Sequence, residues 1–281
     1  MTHEKIDTRV FTATVVVVGP QDRLADAAGA LEALGEIGVR AILISEGEHS
    51  SPPARVAENA ITINGLAPRF LNNAVASLRL SSLPALVWWR GGSGEALDDL
   101  ATLADRLVLD VDAPEEAWRR APGYFEQTAV TDLRWSRLTR WRSALAHLFD
   151  LPPVLESASS FRRLAIDASD PHAARLFAGW LRSRLRWTSD VAIEIAVHEA
   201  GGKHVSPLMK VTLEAPNLWI SLDRKAGGGC LAATVEGLDA STRIVPLGDG
   251  SLASLMAEEL GVRTRDAAFE QALTMAQEIA V

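Results

Sequence analysis

The chain has 281 residues, 48% of them apolar and 23% charged, which is material for one large or two ordinary domains and excludes a disordered chain, a collagen-like repeat or a coiled-coil rod. Lys and Arg number 28 against 36 Asp and Glu, and the resulting net charge of −8 repels a polyphosphate, so general nucleic-acid binding is disfavoured. The lone Cys230 cannot form an internal disulfide, no stretch reaches the roughly 18 apolar residues that span a bilayer, and residues 1–10 lack a signal peptide's apolar region, so a cytoplasmic location is expected.

Residues 11–18 are β-branched and almost wholly apolar, the pattern of a strand buried on both faces, and Gly19-Pro20 ends it. From Asp22, the residues Leu24, Ala27, Ala28, Leu31, Leu34 and Ile37 recur at helical spacing until Gly38, and 39–45 is the next strand. A strand, a helix and a second strand make a right-handed crossover, so these two strands should be parallel. A loop at 49–53 precedes a strand at 59–63 and a helix at 68–80; a strand at 83–89, a helix at 95–103 and a strand at 106–110 continue the alternation.

Residues 131–149 read as one long helix, with Trp135, Leu138, Trp141, Leu145 and Leu148 on one stripe and Leu151-Pro152-Pro153 as its terminator. A strand at 162–168 leads to Asp170 as N-cap and Pro171 at the first position of a helix running to about Arg186. Alternating segments at 191–198, 205–214, 218–223, 230–235 and 242–246, joined by short glycine-rich turns, predict an antiparallel meander, and helices at 250–260 and 265–279 close the chain. The expected architecture is an α/β domain over 1–155 with a largely parallel sheet, followed by an α+β domain over 156–281 with an antiparallel sheet.

The sharpest chemical motif is Trp88-Trp89-Arg90-Gly91-Gly92-Ser93-Gly94-Glu95, a glycine turn between strand and helix that could offer backbone N–H groups to a phosphate. Gly91, Gly92, Ser93 and Gly94 are therefore the phosphate-binding candidates. The dinucleotide fingerprint is incomplete because Leu97 stands at the third glycine position, no Gly-Lys-Ser/Thr follows, and Glu95 breaks a Gly-x-Ser-x-Gly elbow. His198 and His204 are six residues apart across Gly201-Gly202, so no metal site is expected. No nucleophile has the local context of a catalytic set, and no catalytic residue or cofactor is expected.

Two segments couple tryptophan with arginine. Residues 131–142 hold Arg134, Arg137, Arg140 and Arg142 with Trp135 and Trp141 against a single acid, Asp132. Residues 175–187 hold Arg175, Arg182, Arg184 and Arg186 with Trp180 and Trp187 and no acid. These residue types dominate protein-protein hot spots. The rings lie on apolar helical stripes and should fill a core between helices, which leaves the arginines as the better contact candidates. With Trp88, Trp89 and Arg90, the contact set is Arg134, Arg137, Arg140, Arg142, Arg182, Arg184 and Arg186. Because the chain has 24 arginines against four lysines, their clustering is informative and their number is not.

The runs at 83–89, 104–110, 131–142 and 149–150, with Gly179-Trp180-Leu181 and Ser183-Arg184-Leu185, resemble the glucose-6-phosphate dehydrogenase assembly protein OpcA family, and the likeness extends over about 10–260. The resemblance implies a non-enzymatic partner that binds glucose-6-phosphate dehydrogenase, favours its active oligomer and so raises the supply of reduced nicotinamide from the pentose phosphate pathway. It also implies cysteine-based redox control in photosynthetic members, a pattern from which a chain with Cys230 alone departs. Two other classes compete: a sugar-phosphate or nucleotide-binding sensor or enzyme using 91–94, and a nucleic-acid binder using Arg134 to Arg142.

Overall fold

The structure is a computed structural model that describes residues 11–35, 38–57, 59–187, 191–199, 206–225, 227, 229–237, 241–262 and 264–280. The chain divides into two compact units, Met1–Val130 with Met256–Arg265, and Thr131–Leu255 with Asp266–Val281. Among the described residues no helix is long and apolar enough to cross a membrane.

The first unit is α/β. Its strands are β1 (Ala13–Val18), β2 (Val39–His49), β3 (Ala54–Val56), β4 (Ala60–Leu66), β5 (Ala85–Trp89), β6 (Arg106–Leu109) and β7 (Ala129–Asp132), in the sheet order β3-β4-β2-β1-β5-β6-β7. The valine run makes β1 the central strand: all six residues are buried, and Val16 pairs in parallel with Ile42 on one side and Val87 on the other. Helix α1 (Gln21–Ala33) makes the expected crossover, burying Leu24, Ala27, Ala30 and Leu31. Helices α2 (Leu71–Leu78), α3 (Gly94–Ala101) and α4 (Glu115–Arg120) complete the alternation. The three-residue β3, antiparallel to β4, is too short to show a period and falls between the expected loop at 49–53 and the expected strand at 59–63. At the start of β6, Arg106 is buried against Glu259, its Nε donating to the carboxylate at 2.8 Å and its Nη1 to the Thr264 carbonyl at 3.5 Å.

The second unit is α+β. Its elements are α5 (Leu133–Arg137), α6 (Thr139–Leu148), α7 (Pro152–Glu156), β8 (Arg163–Ala168), α8 (Pro171–Arg184), β9 (Ala192–Val197), β10 (Leu208–Ala215), β11 (Leu218–Arg224), β12 (Cys230–Glu236) and β13 (Ser241–Pro246). Helix α9 (Leu252–Gly261) carries the chain from the second unit to the first, and α10 (Ala267–Ala276) returns to the second. The sheet order is β13-β12-β11-β10-β8-β9.

Strands β10 to β13 form the predicted antiparallel meander, but β9 does not belong to it. It runs parallel to β8, with Ile166 opposite Ile195, because α8 returns the chain as a second crossover. The long helix expected over 131–149 is also divided. Thr131 and Asp132 finish β7, the Asp132 carboxylate accepts the Arg134 N–H at 2.8 Å as an N-cap, and the Leu138 N–H is shared between the Arg134 and Trp135 carbonyls at the break. Pro152 and Pro153, read as a terminator, open α7 instead, since proline at the first helical positions gives up no bonded N–H. Helix α10 lies tightly along α8: a Cβ at Gly179 would stand 2.7 Å from the Ala276 nitrogen, while the Arg175 Nε donates to the Ala276 carbonyl at 3.1 Å. Residues 131–149 thus share their neighbours with the second unit, as α5 packs on α8 and α6 on β11 to β13.

Candidate functional site

Apart from β3, the first unit has the strand order of a doubly wound dinucleotide fold, whose crevice opens between the carboxyl ends of β1 and β5. Side chains of the protein fill that place. Arg90, 4% exposed, follows β5 and its Nε donates to Asp110 Oδ2 at 2.9 Å; Trp88 Nε1 donates to the same oxygen at 3.2 Å. Arg90 Nη1 donates to the Arg23 carbonyl, Arg23 Nη1 returns a bond to the Arg90 carbonyl at 3.3 Å, and Arg23 also pairs with Asp112. A Cβ at Gly19 would stand 2.8 Å from the Arg90 Cβ. Burial pulls the Arg90 guanidinium below its ordinary pKa, and Asp110 opposes that shift. The first turn of α1 follows Pro20, which has no N–H to offer a phosphate, and carries Asp22, which repels one. A dinucleotide does not fit these residues.

The glycine turn is built around a carboxylate already present. Gly91 and Gly92 both have φ of +143°, and a Cβ at Gly92 would lie 2.6 Å from the Trp89 ring and 2.9 Å from the Glu46 carboxyl carbon. Glu46, near the end of β2, accepts the Ser93 N–H on both oxygens at 3.1 Å, and Ser93 Oγ accepts the Ala96 N–H to cap α3. Burial raises the Glu46 pKa, and the Ser93 N–H works against that rise. The group that would greet an incoming phosphate at 91–94 is therefore engaged with an acid of the chain itself.

The Trp/Arg segments separate into packed and exposed parts. Trp135 and Trp141 are 3% and 0% exposed, so the rings fill the core as their helical stripes require. Trp135 Nε1 donates to Asp266 Oδ2 at 2.8 Å, its ring meets Phe269 edge-on at 5.8 Å, and the Arg142 guanidinium carbon lies 3.5 Å from its centroid. Trp141 Nε1 donates to Ser206 Oγ at 2.8 Å. Arg134 is buried between Asp132 and Asp170, its Nε 2.8 Å from the latter, and the half-buried Arg182 pairs with Glu278 at 3.1 Å.

Of the ten residues taken as contact candidates, Trp88, Trp89, Arg90 and Arg134 are thus buried, and Arg142 and Arg182 are engaged internally. Arg140, Arg184 and Arg186 are exposed and Arg137 half-buried; among the described residues none of these four has an ion-pair partner. Arg134 pairs with Asp170 at the N-cap of α8, whereas Arg184 and Arg186 lie at the other end of that helix, about 21 Å away for a helix of this length. The acids that hold the packed arginines, Asp110, Asp170 and Glu278, carry no sequence signal beyond the N-cap spacing of Asp170 before Pro171. His198 lies 3.4 Å from Asp167, His204 falls outside the described residues, and among those described no three metal-ligating side chains converge.

Residues 128–273, which contain both Trp/Arg segments, match the C-terminal domain of the OpcA family, described as a glucose-6-phosphate dehydrogenase subunit. The chain belongs to this family. Its relatives include the "Putative OxPP cycle protein OpcA" of Synechocystis sp., 30% identical over 140 residues, and the protein of the same description from Nostoc punctiforme, 28% identical over 138. These alignments cover 46% and 45% of this chain but only 29% and 30% of the relatives, so the chain matches less than a third of their length. Among solved structures, a super-repressor mutant of Gal80p from Saccharomyces cerevisiae is similar, with a TM-score of 0.53 and 9% identity, over 95% of this chain and 93% of that one. At that identity the likeness is one of fold alone.

Proposed function

We propose that this family member is a non-enzymatic assembly factor that binds glucose-6-phosphate dehydrogenase in the cytoplasm and favours its active oligomer. The supporting observation is the family match over 128–273, which covers both Trp/Arg segments and the exposed arginines they carry. Around the two places where a doubly wound fold would be expected to hold a ligand, Arg90 is paired with Asp110 and the Ser93 N–H with Glu46, so an activity by contact suits the residues better than one by chemistry. A protein that binds the active assembly more tightly than inactive forms shifts their equilibrium by that difference in affinity, and needs no reaction of its own. Mixing the purified protein with the dehydrogenase of its host, and following NADP reduction together with complex mass, tests this reading. Faster reduction and co-elution are expected; unchanged kinetics with separate elution refute it.

A further inference from the structure

We infer that the open face of the β8–β13 sheet is a dimer interface, closed by the same face of a second copy of this chain across a two-fold axis. The inference goes beyond the assembly-factor reading and stands or falls without it. Helices α8 and α6 pack on this sheet, and the cross-strand row Leu164, Leu213, Ile220 and Val235, at most 1% exposed, marks the side they cover. Side chains alternate along a strand, so the residues one position to either side face the other way. There Ala165, Thr212, Ser221 and Thr234 form a middle row of small side chains. One border row is Arg163, Glu214, Trp219 and Glu236, and the other is Asp167, Lys210, Asp223 and Ala232. Small residues at the centre let a second sheet approach to the roughly 10 Å spacing of a sandwich, and the long border side chains reach across it.

Part of the border charge is balanced within the chain. Arg163 pairs with Glu194 at 2.7 Å and Glu214 at 2.6 Å, Lys210 pairs with Asp223 at 3.5 Å, and Asp167 faces His198 at 3.4 Å. Glu236 is exposed and has no ion-pair partner among the described residues. With Lys225 after β11 and the sequence neighbours Asp190, Glu199, Lys203 and Asp239, the face is acidic on balance. It therefore accepts its own copy only where acids avoid acids.

The strand order meets that condition. A two-fold axis along the strands, between β10 and β11 at the middle of the six, lays β10 on β11, β8 on β12 and β9 on β13. Arg163 of one protomer then meets Glu236 of the other, Lys210 meets Asp223, and Glu214 meets the Trp219 ring. Asp167 falls on Ala232, Glu194 on Thr242, and the middle rows lie small on small. No acid of the strands faces another. Six strands about 4.8 Å apart and about 20 Å long give on the order of 1,000 Å² from two copies, the size a specific interface needs. Joined to the assembly-factor reading, a two-fold factor offers an oligomeric enzyme two identical contacts, the second of them intramolecular.

Sedimentation equilibrium of the full chain alone tests this, and a dimer is expected for the wild type. Glu236→Arg and Arg163→Glu each set like charges across the axis and should weaken self-association at least about tenfold. Mixed in equal amounts they should dimerise again, because the heterodimer has opposite charges at both contacts. Misfolding does not produce that rescue, and within one chain the two positions lie three strands apart, about 14 Å. Thr234→Arg, a wedge in the middle row, should also give a monomer with an unchanged melting temperature, and it probes the face even where Arg163→Glu does not fold. A monomeric wild type, variants that dimerise as tightly as the wild type, or a mixture that stays monomeric overturns the inference. If the wild type alone is monomeric and the variants weaken affinity for the dehydrogenase, the face docks that partner, so the dimer is wrong and the assembly-factor reading stands. A wild-type dimer that ignores the dehydrogenase keeps this inference and removes that reading.

Discussion

Replacing Trp135 by leucine and Arg142 by methionine, singly and together, separates the packed half of the Trp/Arg segments from the exposed half. Trp135→Leu removes a hydrogen bond to the half-buried Asp266 carboxylate, an edge-on ring contact with Phe269 and part of the buried volume, and should cost about 3–5 kcal/mol. Arg142→Met removes the guanidinium from the Trp135 ring together with its Nη2 bonds to the Trp135 carbonyl and Thr139 Oγ1, both 3.2 Å, and should cost about 1–2 kcal/mol. Because each single change touches other partners as well, only the cycle isolates the ring-guanidinium pair. A centroid distance of 3.5 Å at a buried ring places that coupling at about 0.5–2 kcal/mol. Urea unfolding of the four proteins, with unchanged slopes, measures it. Additivity within about 0.3 kcal/mol would mean that ring and guanidinium do not stack, and would return Arg142 to the set available for partners.

Three other outcomes are expected. Glu259→Gln leaves the Arg106 guanidinium buried without its charge partner and should destabilise by about 3–5 kcal/mol in chemical unfolding, whereas the double change Arg106→Met with Glu259→Leu should recover most of that loss; equal losses in both would show that the pair does not act as a unit. Gly179→Ala should cost at least about 2 kcal/mol, because its methyl group meets the backbone of α10 and no flexible side chain can yield; an unchanged melting temperature would mean that α10 is not seated on α8. For Glu46, whose folded pKa is raised by burial, the associated stability is complete below its unfolded value near pH 4 and is lost as pH rises through the folded value. Glu46→Gln should therefore match the wild type in acid and gain on it toward neutral pH in thermal melts; a constant difference across that range would refute the burial argument.

The α/β character of the first unit was legible because its signals are local. Four consecutive valines can be satisfied only in a strand covered on both faces, and the spacing of Leu24, Ala27 and Leu31 fixes the side on which α1 packs. Asp170 before Pro171 likewise announced α8, and its carboxylate accepts the His172 and Ala173 N–H groups. The direction of β9 was not local information. An alternating strand reads the same in a parallel or an antiparallel pair, and only the length of α8 as a crossover decides between them. The break at Leu138 also escaped the pattern, since an apolar stripe at spacings of three and four persists through two short helices as well as through one long helix.

The same limit governs the arginines, and it shows how their roles divide. An arginine becomes structural when the fold brings an acid to it, and those acids are far off in the chain: Asp170 lies 36 residues from Arg134, and Glu259 lies 153 residues from Arg106. Composition therefore marks a whole segment as cationic without telling which charges are already spent inside it. Subtracting the paired ones leaves Arg137, Arg140, Arg184 and Arg186, the last two at the end of a helix whose dipole favours a cation there, a benefit that Arg182 alone would supply in its last turn. Helix electrostatics consequently explains a basic last turn but not a side chain held at φ of +52° beyond it. What distinguishes Arg186 is a backbone conformation that favours glycine, held by a residue whose side chain is exposed.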